Sequence, residues 1–273
     1  MRKLFLLPLV LIMLVLVEPA YATHYMGGEM SYTHLGAYNY RITARIYHDC
    51  HVHNNIVNEQ DLPFMFSIFR SDGSLYRSDT MTGVFKPLSL STLPACYSDP
   101  NHYCVEYADL VKTVTLPPNT LGYIIVNQRC CMGNDVNNVM ASGSEGLTIS
   151  CTIPPAVTIN SGPSFKSLPP VRICQGDPVH LDFSAIDPEG DSLTYRLATA
   201  YRGGSTTNAK PNAASINFSI LPYAASFSSA SPFGPFGTLT VNPATGIASG
   251  TCSAEGEFVV SVACDEYRGG LLA

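Results

Sequence analysis

From Tyr38 to Tyr47 the chain keeps a strict period of two. Tyr38, Tyr40, Ile42, Ala44 and Ile46 fall on one side of an extended backbone, and Asn39, Arg41, Thr43, Arg45 and Tyr47 on the other. Only a half-buried β-strand uses such a pattern. No segment repeats apolar residues at helical spacing for three turns, so the whole chain reads as all-β. Further strands are expected at 26–33, 64–70, 107–116, 121–130 and 146–152. His34-Leu35-Gly36-Ala37 is expected as a hairpin loop, and Ser71-Asp72-Gly73-Ser74 closes the strand before it.

The first residues limit where such a fold can be used. Arg2 and Lys3 precede an apolar run from Leu4 to Val17, and Ala20-Tyr21-Ala22 places small residues two apart. This is the pattern of a signal peptide, with cleavage expected after Ala22 and a secreted or cell-surface product. The apolar run is shorter than the ~20 residues that cross a bilayer, so no membrane span is expected once the leader is removed. Removing it takes the formal charge from -6 to -7. A mildly acidic chain without a basic run offers nothing to a phosphate backbone, which sets nucleic acid aside.

Pro154-Pro155, Ser161-Gly162-Pro163 and Pro169-Pro170 mark a stiff linker. The expected organisation is a signal peptide over 1–22, a first β-sandwich over 23–160 and an Ig-like sandwich of the cadherin or PKD kind over 163–273. In the second unit, Asp187-Pro188-Glu189-Gly190-Asp191 forms an acidic turn, and Pro243-Ala244-Thr245-Gly246 to Ser249-Gly250-Thr251 a Gly-punctuated hairpin.

Nine cysteines in an exported chain point to disulfides. Cys130 and Cys131 are adjacent. Across a trans peptide their Cα atoms stand ~3.8 Å apart, closer than the ~4.4–6.8 Å of an ordinary bridge. They are expected to pair outward, one with Cys50 and the other with Cys151. Cys96 is expected to pair with Cys104, and Cys174 with Cys264, which leaves Cys252 as the spare thiol.

Two clusters could hold a metal. Asp187, Glu189 and Asp191 place three hard oxygen donors on one loop, which suits calcium, although the same residues make an ordinary type I turn. His48-Asp49-Cys50-His51-Val52-His53 carries zinc or copper donors, on a stretch where Cys50 is wanted for a bridge. No other cofactor is implied. The chain contains no Gly-x-Ser-x-Gly elbow, no His-Glu-x-x-His and no phosphate loop. The aromatics Tyr223, Phe227, Phe233 and Phe236 lie outside any strand register and form either an exposed contact loop or a cover over a sandwich edge.

Gly27-Gly28-Glu29-Met30-Ser31-Tyr32, Tyr47-His48-Asp49-Cys50 and Gln128-Arg129-Cys130-Cys131, together with Ile173-Cys174, the acidic turn, the hairpin and Cys264-Asp265-Glu266-Tyr267-Arg268, carry a resemblance. The chain resembles the N-terminal portion of secreted Bacteroidetes-type surface proteins with PKD or Ig-like repeats and gliding-motility-associated C-terminal domains. Relative to those proteins it reads as truncated at Ala273, and it has Cys252 where proline is usual.

The resemblance implies a non-enzymatic, adhesin-type surface protein that meets a glycan or a protein through its loops and is braced by disulfides. Two alternatives stand beside it. One is a carbohydrate-acting enzyme or its binding appendage, which a cleft with paired carboxylates would favour. The other is a spacer for further C-terminal domains.

Overall fold

The computed structural model describes residues 25–49, 63–88, 96, 105–155, 159–167, 173–211 and 216–273. Among them the fold is all-β, with two single-turn 3-10 segments at Ser142–Ser144 and Gly234–Phe236. The expected signal peptide, Cys50, His51, His53 and Cys104 lie outside the described residues. No helix among the described residues is long and apolar enough to cross a membrane.

The first unit packs two four-stranded antiparallel sheets face to face. One has the order β1 (Tyr25–Gly36), β2 (Asn39–Asp49), β6 (Val105–Thr115), β5 (Lys86–Pro87). The other has β4 (Leu75–Met81), β3 (Phe64–Arg70), β7 (Tyr123–Arg129), β8 (Leu147–Ile153).

The period-two run produces this packing directly. Tyr40, Ile42, Ala44 and Ile46 of β2 are all buried, against Phe64, Phe66, Ile68 and Ile125 of the facing sheet. Each buried Ile or Phe among them contributes roughly 1.5–3 kcal/mol by leaving water. Tyr38 does not join them. β1 runs on to Gly36 through most of the expected loop, and the hairpin turns instead at Ala37 and Tyr38, both at positive φ, which leaves Tyr38 exposed.

The second unit holds β9 (Ser164–Phe165) paired with β11 (Ala185–Ile186), and a three-stranded sheet of β10 (Pro178–Asp182), β14 (Ile247–Cys252) and β13 (Gly237–Val241). A second three-stranded sheet joins β12 (Ser192–Leu197), β15 (Val262–Arg268) and β16 (Leu271–Leu272). The Gly-punctuated hairpin is β13–β14. Asn242 caps its turn by accepting the Ala244 and Thr245 amides, and Gly246 sits at φ +74°.

Between β12 and β13 the chain leaves the second unit and lies on the first. Arg202 bridges to Leu147, the Thr148 amide donates to the Tyr201 carbonyl, and Leu221 enters the first core. The outer edge of β8 is covered in this way. The aromatic stretch folds back too: Phe233 is buried in the second core against Phe258, and Tyr223 packs on the first.

The disulfides depart from expectation. Cys130 and Cys131 bond each other, with Cα atoms 3.0 Å apart across a cis peptide. The expectation that the two pair outward assumed a trans linkage, and the cis one sets both side chains on the same side. Cys151 is therefore a free thiol on β8, packed against the first core. Cys96 pairs with Cys174, so neither the expected bridge to Cys104 nor that to Cys264 forms. Cys174 lies at the C-terminal end of β14, where the Gly176 amide donates to the Cys252 carbonyl, whereas Cys264 sits mid-strand in the other sheet, opposite Tyr195. Cys264 is free, and so is Cys252, the expected spare. Cys252 is a buried member of the second core, where a thiol serves as a small apolar side chain.

Candidate functional site

The acidic turn opens β12, and its outer residues are held by the turn itself. The Gly190 amide donates to the Asp187 carbonyl and the Asp191 amide to Asp187 Oδ1 at 2.8 Å, with Gly190 supplying the positive φ. Asp187 and Asp191 then face the C-terminal part of β15, which contributes Glu266 and Arg268. Carboxylate oxygens of Asp187, Asp191 and Glu266 lie within 4.8 Å of one another. Glu189, expected in this set, points elsewhere and accepts the Ser161 amide at 3.1 Å.

The cluster is tied to the first unit. The Asn160 side-chain amide, itself buried, donates to the Tyr32 hydroxyl of β1 at 2.9 Å and to Glu266 Oε2 at 3.1 Å. Its carbonyl accepts Arg268 Nη2 at 2.6 Å. Arg268 also grips both oxygens of Asp191. Ser161 and Gly162 complete the seam, where the His34 amide donates to Ser161 Oγ and the Gly162 amide to the Tyr32 carbonyl.

Charge follows the geometry. Hydrogen bonding to Arg268 holds the Asp191 carboxyl below its usual range, while burial pushes Glu266 and the Tyr32 phenol above theirs. Among the described residues, Asp187 Oδ2 and Glu266 Oε1 are buried without a hydrogen-bond partner. Three carboxylates supply about half of the six to eight oxygens that calcium takes. Arg268 already neutralises one of them, so what the arrangement does best is lock the linker between the units. Nothing in the turn itself signals Glu266 or Asn160. The sequence clue was the charged run after Cys264, whose alternation on a strand sends Glu266 and Arg268 to one face.

In the other sequence cluster, His48 is buried and its ring stands 5.8 Å from that of Phe85, the setting of a core side chain.

A cleft of about 530 Å³ lies between the units. Its walls are β1 at Tyr25–Glu29, the start of β8, the rings of Phe165, Phe183, Phe233 and Phe258, and the segment 256–262. Among the described residues, three acids reach it: Glu29, Asp49 and Glu257. Glu29 is paired with Arg45 at 3.2 Å, yet burial outweighs that partner and raises its pKa to about 7. Glu257 is raised by desolvation and then by Asp49 and Asp135. Comparison of the chain with protein-family models, with curated proteins and with solved structures finds no match.

Proposed function

We propose that this chain is a non-enzymatic structural and interaction protein of the cell surface, which presents two β-sandwich units as one braced body. The observation that carries the reading is the continuity between the units. The Cys96–Cys174 bridge, the Asn160 seam and the insertion of Leu221 into the first core join them covalently, by hydrogen bonds and by packing. A hinged two-domain enzyme keeps its interface small and mobile. Here the interface is stapled, which suits a part that holds a surface in place.

The test is adherence. Cells that make the protein should bind abiotic and glycan-coated surfaces several-fold better than cells lacking it, and added purified protein should compete. Equal adherence of the two strains would overturn the reading. The interunit cleft, with aromatic rings and three acids, favours a carbohydrate-binding appendage as the second reading. Binding to a glycan array would support that one.

A further inference from the structure

We infer that Asp191 and Glu266 hold one proton between them and that this proton latches the two units together, so that the joint is tight in weak acid and loosens in mild alkali. Such a latch goes beyond the surface reading and does not depend on it.

The joint has more acceptors than donors. Carboxylate oxygens of Asp187, Asp191 and Glu266 lie within 4.8 Å of one another, and Glu266 is only 6% exposed. Among the described residues, Asp187 Oδ2 and Glu266 Oε1 are buried and accept no hydrogen bond. The donors at hand are spent elsewhere. The Asn160 amide donates to Glu266 Oε2 and the Tyr32 hydroxyl, and Arg268 to both oxygens of Asp191 and to the Asn160 carbonyl. Ionised carboxylates cannot satisfy each other, because each only accepts. A proton on one makes it a donor and removes a buried charge in the same step. Since the Arg268 guanidinium already fills the place of a cation against Asp191, the orphan oxygens call for a hydrogen rather than a metal ion.

The surrounding charges favour that proton. The acidic turn turns Asp187 and Asp191 toward Glu266, the linker brings the neutral Asn160, and β1 brings the Tyr32 phenol. β15 itself adds the Cys264 thiol and Arg268, and Leu193 stands opposite on β12. Among these described residues Arg268 is the one cation, so three ionised acids would share a single positive charge. Burial first, and then the acids of the turn, pushes Glu266 from 4.5 to about 7. Asp191 moves the other way, held below its usual range by Arg268 first and by Glu266 as well. Opposite displacements are what two carboxyls with one proton between them show.

Asn160 carries the state of this proton to the joint. Its amide holds Glu266 and Tyr32 at once, and Ser161 and Gly162 beside it bond the backbone of β1. Loss of the proton leaves two like charges buried side by side, and parting of β15 from the linker relieves them by admitting water. A carboxyl raised by folding stabilises the joint fully below its unfolded value near 4.5, and that contribution is lost as pH rises through about 7. Asp191, lowered by folding, gives way only when pH falls below the ordinary carboxylate range.

The test is hydrogen exchange of the Gly162 amide, which crosses the joint to the Tyr32 carbonyl, read by NMR on the whole oxidised chain and corrected for intrinsic exchange. Its protection is expected to fall about tenfold between about pH 5.5 and about pH 8. Glu266→Gln, neutral at either pH, should hold the protection level, whereas Glu29→Gln should leave the fall in place. Carbon NMR titration of the Glu266 carboxyl in the parent chain, independent of how any variant folds, should give a midpoint above about 6. A midpoint below that value, equal protection at both pH values, or an undiminished fall in Glu266→Gln overturns the latch. So does millimolar calcium that restores protection in alkali, which would make the cluster a cation site.

Discussion

Glu29 shows how burial can outweigh an ion pair. Arg45 stands 3.2 Å away and also holds Asp109 at 2.6 Å, so its one positive charge is divided between two acids. Burial raises the Glu29 carboxyl from 4.5 to about 7, by more than Arg45 lowers it. A carboxyl whose folded pKa lies above its unfolded one favours the folded state most below the unfolded value. That advantage is lost as pH rises through the folded pKa. Between pH 4.5 and 8 the Glu29→Gln variant should therefore gain stability relative to the parent, on the order of 2 kcal/mol, read by urea melts across that range. A constant difference would show that Glu29 is charged throughout. The alternation of β2 made Arg45 and its outward face legible in the sequence. It could not show that Arg45 serves two acids, one on each flanking strand.

At the scale of elements, the strands were legible wherever one face is wet. β3, β6, β7 and β8 fall within two residues of their expected bounds because apolar and polar residues alternate along them or run between clear turn residues. What period and punctuation could not reveal was the path of 198–236, whose fixings are single side chains. Asn138 is the chief of these. Fully buried, it donates to the carbonyls of Pro232 and Val259 and accepts the Val259 amide, and its own carbonyl accepts the Ala224 amide. Asn138→Ala strands three backbone groups at once, the Pro232 carbonyl buried and the Val259 amide and carbonyl half-buried, which should cost about 3 kcal/mol in chemical denaturation. Asn137→Ala, which removes one exposed bond to the Glu255 carbonyl, should cost less than about 1 kcal/mol. Equal costs would show that the segment is held by packing instead.

Over the whole molecule, the pairing of Cys96 with Cys174 spans 78 residues and connects parts that no local pattern relates. Spacing along a chain says which cysteines are near in sequence, whereas a bridge needs Cα atoms within reach in space, and these are 5.9 Å apart. The candidate site was half legible for the same reason: the turn supplied Asp187 and Asp191, and the fold alone brought Glu266 and Asn160 to them. Replacing both bridge cysteines by serine should lower stability by about 4–5 kcal/mol on the chain-entropy estimate, measured by denaturation without reductant. A loss under ~1 kcal/mol would mean that the noncovalent seam alone holds the units together.

The three free thiols among the described residues set a timetable. Burial pushes Cys151 up to about 12 and Cys264 up to about 11, and Cys252 is enclosed in the second core. In the folded protein Cys151 and Cys264 therefore offer hardly any thiolate to attack a disulfide. Before the sheets close, the same sulfurs are ordinary exposed thiols that compete for every partner. Correct pairing is thus a race between sheet closure and the arrival of oxidant, and a chain that is oxidised early must reshuffle its bridges through these thiols while they are still exposed.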